Sequence, residues 1–185
     1  RQAEIKHGRI AMFAFVGHIV QATGLHFPWN IDGSTSFGDI SAAGGPGDQW
    51  DAISMTAKWQ IFSFIFLMEA ISESSYALEK AGTVHYMRGG KPGVLPSLKT
   101  ISPHPVPLDY FNPIGTVSKM TPERKEQGLL AEINNGRLAM IGIFGLVSAE
   151  KGCFVPGLDS LPLKPYAGEF MEPFAIGKTW DFFML

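Results

Sequence analysis

One cysteine, Cys153, stands in 185 residues. No disulfide can close within the chain, and a pair of redox thiols is excluded; Cys153 reads as a packing residue. Charge is also scarce. Charged residues make up 17% of the chain, below the roughly 25% usual in soluble domains, and a net charge of −2 argues against a nucleic-acid partner. Lysine and arginine are missing altogether between residues 26 and 57, where Asp32, Asp39, Asp48 and Asp51 fall. The glycines of that stretch, Gly44-Gly45-Pro46-Gly47, lead into neither a dinucleotide nor a P-loop pattern, so residues 30–51 read as a loop without phosphate chemistry. The chain opens at Arg1, already inside a helical pattern, with no methionine and no targeting segment, and an N-terminal region is expected ahead of it.

What is present is one stretch written twice. Glu4-Ile5-Lys6-His7-Gly8-Arg9-Ile10-Ala11-Met12 returns as Glu132-Ile133-Asn134-Asn135-Gly136-Arg137-Leu138-Ala139-Met140. At an offset of 128, residues 3–17 and 131–145 match at Ala, Glu, Ile, Gly, Arg, Ala, Met and the closing glycine. Two distant copies make no solenoid; they suggest two equivalent helices about a pseudo-twofold axis. Each copy has helical spacing without proline. Past the arginine each turns apolar: residues 10–25 are interrupted only by His18, Gln21 and Thr23, and residues 138–147 by nothing polar. About 20 residues of helix cross a bilayer, so the second run reaches that length only if Glu132, Asn135 and Arg137 also lie at membrane depth.

A glutamate and an arginine in an apolar layer each need a partner. Within one copy they stand five residues apart, off the neighbouring spacings of three and four. Two crossed copies answer the need reciprocally, Glu4 meeting Arg137 and Arg9 meeting Glu132, with Gly8 and Gly136 letting the backbones approach. The alternative is four surface charges reaching the headgroups from helix ends. His7 and Asn135, three residues after each glutamate, add lone pairs beside the crossing. Carboxylate, imidazole and amide oxygen are ligands for hard or borderline metals. A single open axial ligand at that depth suits the magnesium of a chlorophyll ring better than a caged ion.

These segments resemble the first and third membrane helices of the light-harvesting chlorophyll-binding protein superfamily. That family carries Glu-x-x-His-x-Arg in one helix and Glu-x-x-Asn-x-Arg in the other, and Glu4, His7, Arg9, Glu132, Asn135 and Arg137 fit at those spacings. The resemblance implies an all-α membrane protein built as a single domain over residues 1–185. Its three transmembrane helices would be residues 2–23, 51–78 and 122–149, with the first and third crossed about the pseudo-twofold axis. It further implies chlorophyll ligands at Glu4, His7, Glu132 and Asn135, with Arg9 and Arg137 as structural ion-pair partners. In the middle helix Glu69 occupies the family's ligand place late in the apolar run, Gln60 is a further candidate, and Glu73 reads as facing the polar boundary.

Around those helices, His18 and Gln21 read either as further ligands or as interface hydrogen bonders. Phe27-Pro28-Trp29 marks an interfacial exit. The second loop carries Lys80, Arg88, Lys91, Lys99, Lys119, Arg124 and Lys125. Against the lysine-free first loop, this puts the N-terminus and second loop on the stromal side. Tyr110-Phe111-Asn112-Pro113-Ile114-Gly115 resembles the family's Phe-Asp-Pro-Leu-Gly turn, with Asn112 in place of aspartate. Thr121-Pro122-Glu123 reads as a helix start. Ala149 stands where the family often has a glutamine ligand, and Glu150 is the nearest base. Residues 165–174 suggest one short interfacial turn, and residues 180–185 a contact with lipid or a neighbouring subunit.

Glu132 to Met140, Trp59-Gln60-Ile61-Phe62 and Lys164-Pro165-Tyr166-Ala167-Gly168-Glu169 look like the red-lineage branch. That resemblance implies chlorophyll a with chlorophyll c, and a carotenoid such as fucoxanthin, peridinin or a related xanthophyll. The implied role is an antenna subunit, not an enzyme, in the plastid thylakoid membrane, multi-pass, passing excitation to a photosystem (photosystem I by resemblance). Photosystem core subunits, neighbouring antenna proteins and thylakoid lipid are the implied partners. A quenching, photoprotective member would carry the same ligands. Other classes stay open on the residues alone. Glu4-x-x-His7 with Glu69 and Glu73 is also the ligand spacing of di-iron carboxylate bundles, which would make an oxidase. An ion-coupled transporter could use membrane-embedded pairs, but usually has more helices.

Overall fold

The computed structural model describes residues 1–97, Lys99 and residues 119–150. Among them the structure is helical, with one isolated antiparallel bridge between Asn30 and Ser36. The helices are α1 (Gln2–Ala22), α2 (Phe37–Ser41), α3 (Pro46–Ala52), α4 (Met55–Glu73), α5 (Ser75–Lys80) and α6 (Pro122–Glu150), with a 3-10 turn at Tyr86–Arg88. The Tyr110–Gly115 motif, Cys153 and the proposed interfacial segments at 165–174 and 180–185 lie outside the described residues. The chain divides into two compact units, one of Arg1–Arg9 with Gln60–Gly136, the other of Ile10–Trp59 with the chain from Arg137 on.

Local chemistry sets the ends of the long helices. α1 is followed by Gly24 at φ 76°, a left-handed conformation that glycine adopts without a Cβ penalty. α6 starts where Thr121 accepts from the Arg124 N–H at 3.4 Å, with Pro122 in the first helical position, where its missing N–H costs nothing.

The single middle helix expected over residues 51–78 is instead three pieces. Ile53 is extended at ψ 133°, and Ser54 caps a fresh helix by accepting from the Ala57 N–H at 3.2 Å. Ser74, extended at ψ 128°, divides α4 from α5. At Ser54 the hydroxyl replaces a missing backbone partner, whereas Ser74 makes no side-chain cap hydrogen bond. The stretch read as a plain loop, residues 30–51, also holds two short helices. Ser36 caps α2 through the Asp39 N–H at 3.0 Å, and Pro46 opens α3. Neither shows in periodicity, since each is barely two turns or less.

In the first unit α1 and α6 meet backbone to backbone. A Cβ added at Gly8 would lie 3.0 Å from the Gly136 Cα, and one at Gly136 would lie 2.9 Å from the Gly8 Cα. These are equivalent positions of the repeat, and only glycine permits so close an approach. In the second unit the same two helices pack Phe15 against Gly142, where a Cβ would come 3.0 Å from the ring. There Asp32 ties the loop to α4. Its Oδ2 accepts from the Ser54 hydroxyl at 2.5 Å and its Oδ1 from the Ser34 and Thr35 N–H groups at 2.9 and 2.7 Å. The Ser54 bond first, and then the two backbone N–H groups, hold the Asp32 carboxyl well below the usual carboxylate range.

Among the described residues the buried apolar side chains are few, half of them alanine: Ile5, Ala11, Ile40, Ala57, Ala77 and Leu78. Much of the large apolar surface faces outward. On α4, Trp59, Phe62, Phe64, Ile65, Phe66 and Leu67 are all more than half exposed and point in every direction around the axis. No helix among the described residues is long and apolar enough to cross a membrane by itself. The reason is visible in the residues: Glu4, Lys6 and Arg9 load the first half of α1, Glu69 and Glu73 the end of α4, and Glu132, Arg137 and the first turns of α6 carry the rest.

Replacing Gly136 with Val should force α1 and α6 apart and cost about 1–3 kcal/mol of stability, seen as a lower melting temperature with Gly145→Ala, where a Cβ meets open space, as control. Asp32 sits lower in the folded chain than in the unfolded one. Its stabilisation is therefore complete above the unfolded value of about 3.9 and is lost as pH falls below it. Asp32→Asn should melt lower than the parent at neutral pH, with the gap narrowing on acidification of the pigment-free chain.

Candidate functional site

The first unit gathers most of the residues singled out by the repeat. Arg9 Nε donates to Glu132 Oε1 at 2.5 Å, both side chains about one quarter to one third exposed (31% and 24%). Arg9 Nη1 also donates to the Gly93 carbonyl at 2.8 Å, and the Gly93 N–H donates to Gln2 Oε1 at 2.6 Å. Gly93, at φ 82°, brings its backbone so close that a Cβ would meet Ile5 at 3.1 Å. One guanidinium thus holds α6 and the loop after the 3-10 turn to α1. Glu132 Oε2 makes no hydrogen bond among the described residues, so the carboxylate keeps lone pairs to offer after its charge is matched.

His7 is exposed on α1, and its Nδ1 lies 2.8 Å from the Ala3 carbonyl. A carbonyl can only accept, so Nδ1 carries the proton and Nε2 keeps its lone pair. That is the orientation and tautomer a metal-ligating histidine needs. Asn135, its equivalent on α6, is exposed and without a side-chain hydrogen bond among the described residues, as is Gln60 on α4. Glu4 accepts from Arg1 at 2.8 Å, one turn away. Arg137 follows directly on Gly136 along α6, in the second unit.

Glu69 is engaged by a residue the repeat did not announce. Lys6 Nζ donates to Glu69 Oε2 and lies 3.5 Å from Glu73 Oε1. Glu73 Oε2 in turn accepts from His85 Nε2 at 2.6 Å, while His85 Nδ1 accepts from the Met87 N–H at 3.1 Å. Lys6 sits where the second copy has Asn134, so comparison of the copies passes over it. A lysine within an otherwise paired apolar helix was the available signal.

In the second unit His18 is buried, while Gln21 is exposed and donates from Nε2 to Gln49 Oε1 at 3.4 Å. His18 is 8% exposed; its Nε2 has no hydrogen-bond partner among the described residues and stands 4.0 Å from Glu150 Oε2. Glu150 Oε1 accepts from the Gly47 N–H at 2.8 Å, so the base after Ala149 anchors α3. Gln49, 3% exposed, donates to the carbonyls of Gln21 and Gly44 at 3.1 and 3.0 Å. These groups hold the loop to helix ends. Beside them is an apolar cavity of about 460 Å³ lined mainly by Val20, Leu25, Phe27, Phe37, Ile40 and Ile53, within the size range of small-molecule sites.

Among the described residues no group of three or more histidine, cysteine, aspartate or glutamate side chains could hold a metal ion. A di-iron centre needs such convergence, whereas a macrocycle that already supplies four nitrogens to its magnesium needs one axial base. His7, Glu69, Glu132 and Asn135 each offer one, spread over apolar helices, and the donor set fits that use.

A family model described as Chlorophyll A-B binding protein matches residues 1–151. The chain is similar to a chloroplastic fucoxanthin-chlorophyll a-c binding protein of Trieres chinensis, 31% identical over 156 residues, 82% of this chain and 64% of that one. Fucoxanthin-chlorophyll a-c binding protein F of Phaeodactylum tricornutum is 29% identical over 154 residues with the same coverage. Protein E of that organism is 54% identical over 41 residues, 22% of this chain and 21% of its own. The chain spans 64% of the length of the first two relatives. By the match over residues 1–151, the chain belongs to the chlorophyll A-B binding protein family, the light-harvesting superfamily whose paired helix motifs it carries.

Proposed function

We propose that the chain is a light-harvesting antenna subunit that binds chlorophylls and carotenoids and passes excitation to a photosystem, photosystem I by resemblance. The observation that carries this reading is the donor set on α1, α4 and α6. His7 presents Nε2 with its other nitrogen tied to the backbone, and Glu132 keeps Oε2 while Arg9 matches its charge. His7, Glu132, Asn135 and Glu69 are the axial ligands we assign, with Glu4 and Gln60 as further ones, and Arg137 as the counterpart of Arg9 in the repeat. The relatives' names support chlorophyll a, chlorophyll c and fucoxanthin as the pigments. Bound pigments would supply the absorption of light and the excited states. The protein's part is to ligate, space and orient them and to keep water away, with no bond made or broken.

We read the chain as one domain of three thylakoid-spanning helices, with the Gly8–Gly136 contact on the pseudo-twofold axis and the N-terminus stromal. At 1.5 Å per residue α1, α4 and α6 are about 31, 28 and 43 Å long, against a hydrocarbon core of about 30 Å. The charges that depress each helix's own hydropathy are matched between helices, as Arg9 with Glu132 and Lys6 with Glu69. The outward aromatic and aliphatic side chains of α4 are unsuited to water and suited to pigment and lipid.

The visible spectrum of the purified protein tests the reading. Chlorophyll red and Soret bands are expected; a colourless protein with stoichiometric iron would overturn it in favour of an oxidase. In protein refolded with pigments, His7→Leu should carry about one chlorophyll fewer with unchanged helix content.

A further inference from the structure

We propose that Lys6 is the positioning residue for Glu69, a counter-charge delivered from α1 that lets this carboxylate serve as an axial pigment ligand; the inference rests on the assignment of Glu69 above. A carboxylate anion in apolar surroundings is costly unless a cation stands against it. Glu132 meets this condition through Arg9. For Glu69 the neighbouring sequence offers nothing: no lysine or arginine occurs between Lys58 and Lys80. Lys58 is eleven residues away, about 16 Å along the helix. The cation has to come from another helix, and Lys6 Nζ is in contact with Glu69 Oε2.

The geometry also says which oxygen is left. Lys6 takes Oε2, and Oε1 makes no hydrogen bond among the described residues. The Lys6 side chain is 24% exposed and that of Glu69 48%, so the lysine is the more covered partner and the carboxylate the more open one. Glu73 supports the lysine from the other side, 3.5 Å from Nζ, and is itself held by His85 at 2.6 Å. The two acids therefore differ in role. Both Glu73 oxygens are occupied within the protein, while Glu69 has one to give. An ammonium, with three donors about a point charge, can serve two carboxylates at once.

The test compares Lys6→Gln, Lys6→Arg, Glu69→Leu and the double variant Lys6→Gln/Glu69→Leu, each as the full chain refolded with chlorophylls and carotenoid in detergent. Lys6→Gln and Glu69→Leu should each lose about one chlorophyll per chain, with the same absorption difference spectrum in the red band. The double variant should lose no more than either single one, and Lys6→Arg should keep the pigment. A purely structural lysine would instead lower the yield of all pigments together. Full pigment content in Lys6→Gln, or a difference spectrum matching that of His7→Leu, would overturn the role of Lys6 alone. Full content in Glu69→Leu would overturn the ligand assignment beneath it. Should Lys6→Gln alone fail to assemble, Lys6→Gln/Glu69→Leu, which removes both charges and the ligating oxygen, is expected to assemble with one chlorophyll fewer, and its failure would also sink the proposal.

Discussion

Arg9 against Glu132, beside the Gly8–Gly136 backbone contact, is the constraint on which the rest depends. Neither charge is tolerable alone in an apolar layer. Together they lock two helices at one register, because an arginine that slipped by a residue would leave its face and strand the glutamate. The glycines make the lock reachable: with any side chain at those positions the helices would stand too far apart. The same arginine fastens Gly93, so helix, helix and loop share one anchor.

That lock has a chemical by-product. A carboxylate whose charge is matched on one oxygen remains a Lewis base through the other, without the cost of an uncompensated anion. Glu132 and Glu69 are both in this state, one through Arg9 and one through Lys6. His7 reaches an equivalent state by a neutral route, spending Nδ1 on the Ala3 carbonyl. The donors then sit on helices whose large apolar side chains face outward. Such a surface suits apolar partners, and on the proposed reading magnesium macrocycles would each be held by one base and polyenes by apolar contact.

Much of this was legible in the chain. The repeat is a self-comparison, and reciprocal pairing follows from two charges that cannot satisfy each other along one helix, so Arg9 and Glu132 could be matched from the chain alone. The helix ends of α1 and α6 were equally plain, marked by Gly24 and by Thr121-Pro122. The break of the middle helix at Ile53-Ser54 was not. A cap depends on where a hydroxyl points, and apolar periodicity runs straight through it. α2 and α3 hid for a related reason, being too short to establish a period. The role of Glu150 was also out of reach, since its partner is the Gly47 N–H over a hundred residues away, and a backbone donor leaves no trace in sequence.

What the sequence alone determined is the set of parts: two equivalent helices, a matched acid and base, a pair of crossing glycines and a series of lone pairs at helical spacing, all of which rest on periodicity and charge within a segment. What only the tertiary structure decided is who serves whom. It gave Glu69 to Lys6 rather than to open surroundings, buried His18, held the loop through Gln49 on the Gln21 carbonyl, and occupied both oxygens of Glu73. The physical reason is that a side chain's chemistry is intrinsic, whereas its free valence is what remains after its neighbours in space have taken their share, and those neighbours are distant in the chain.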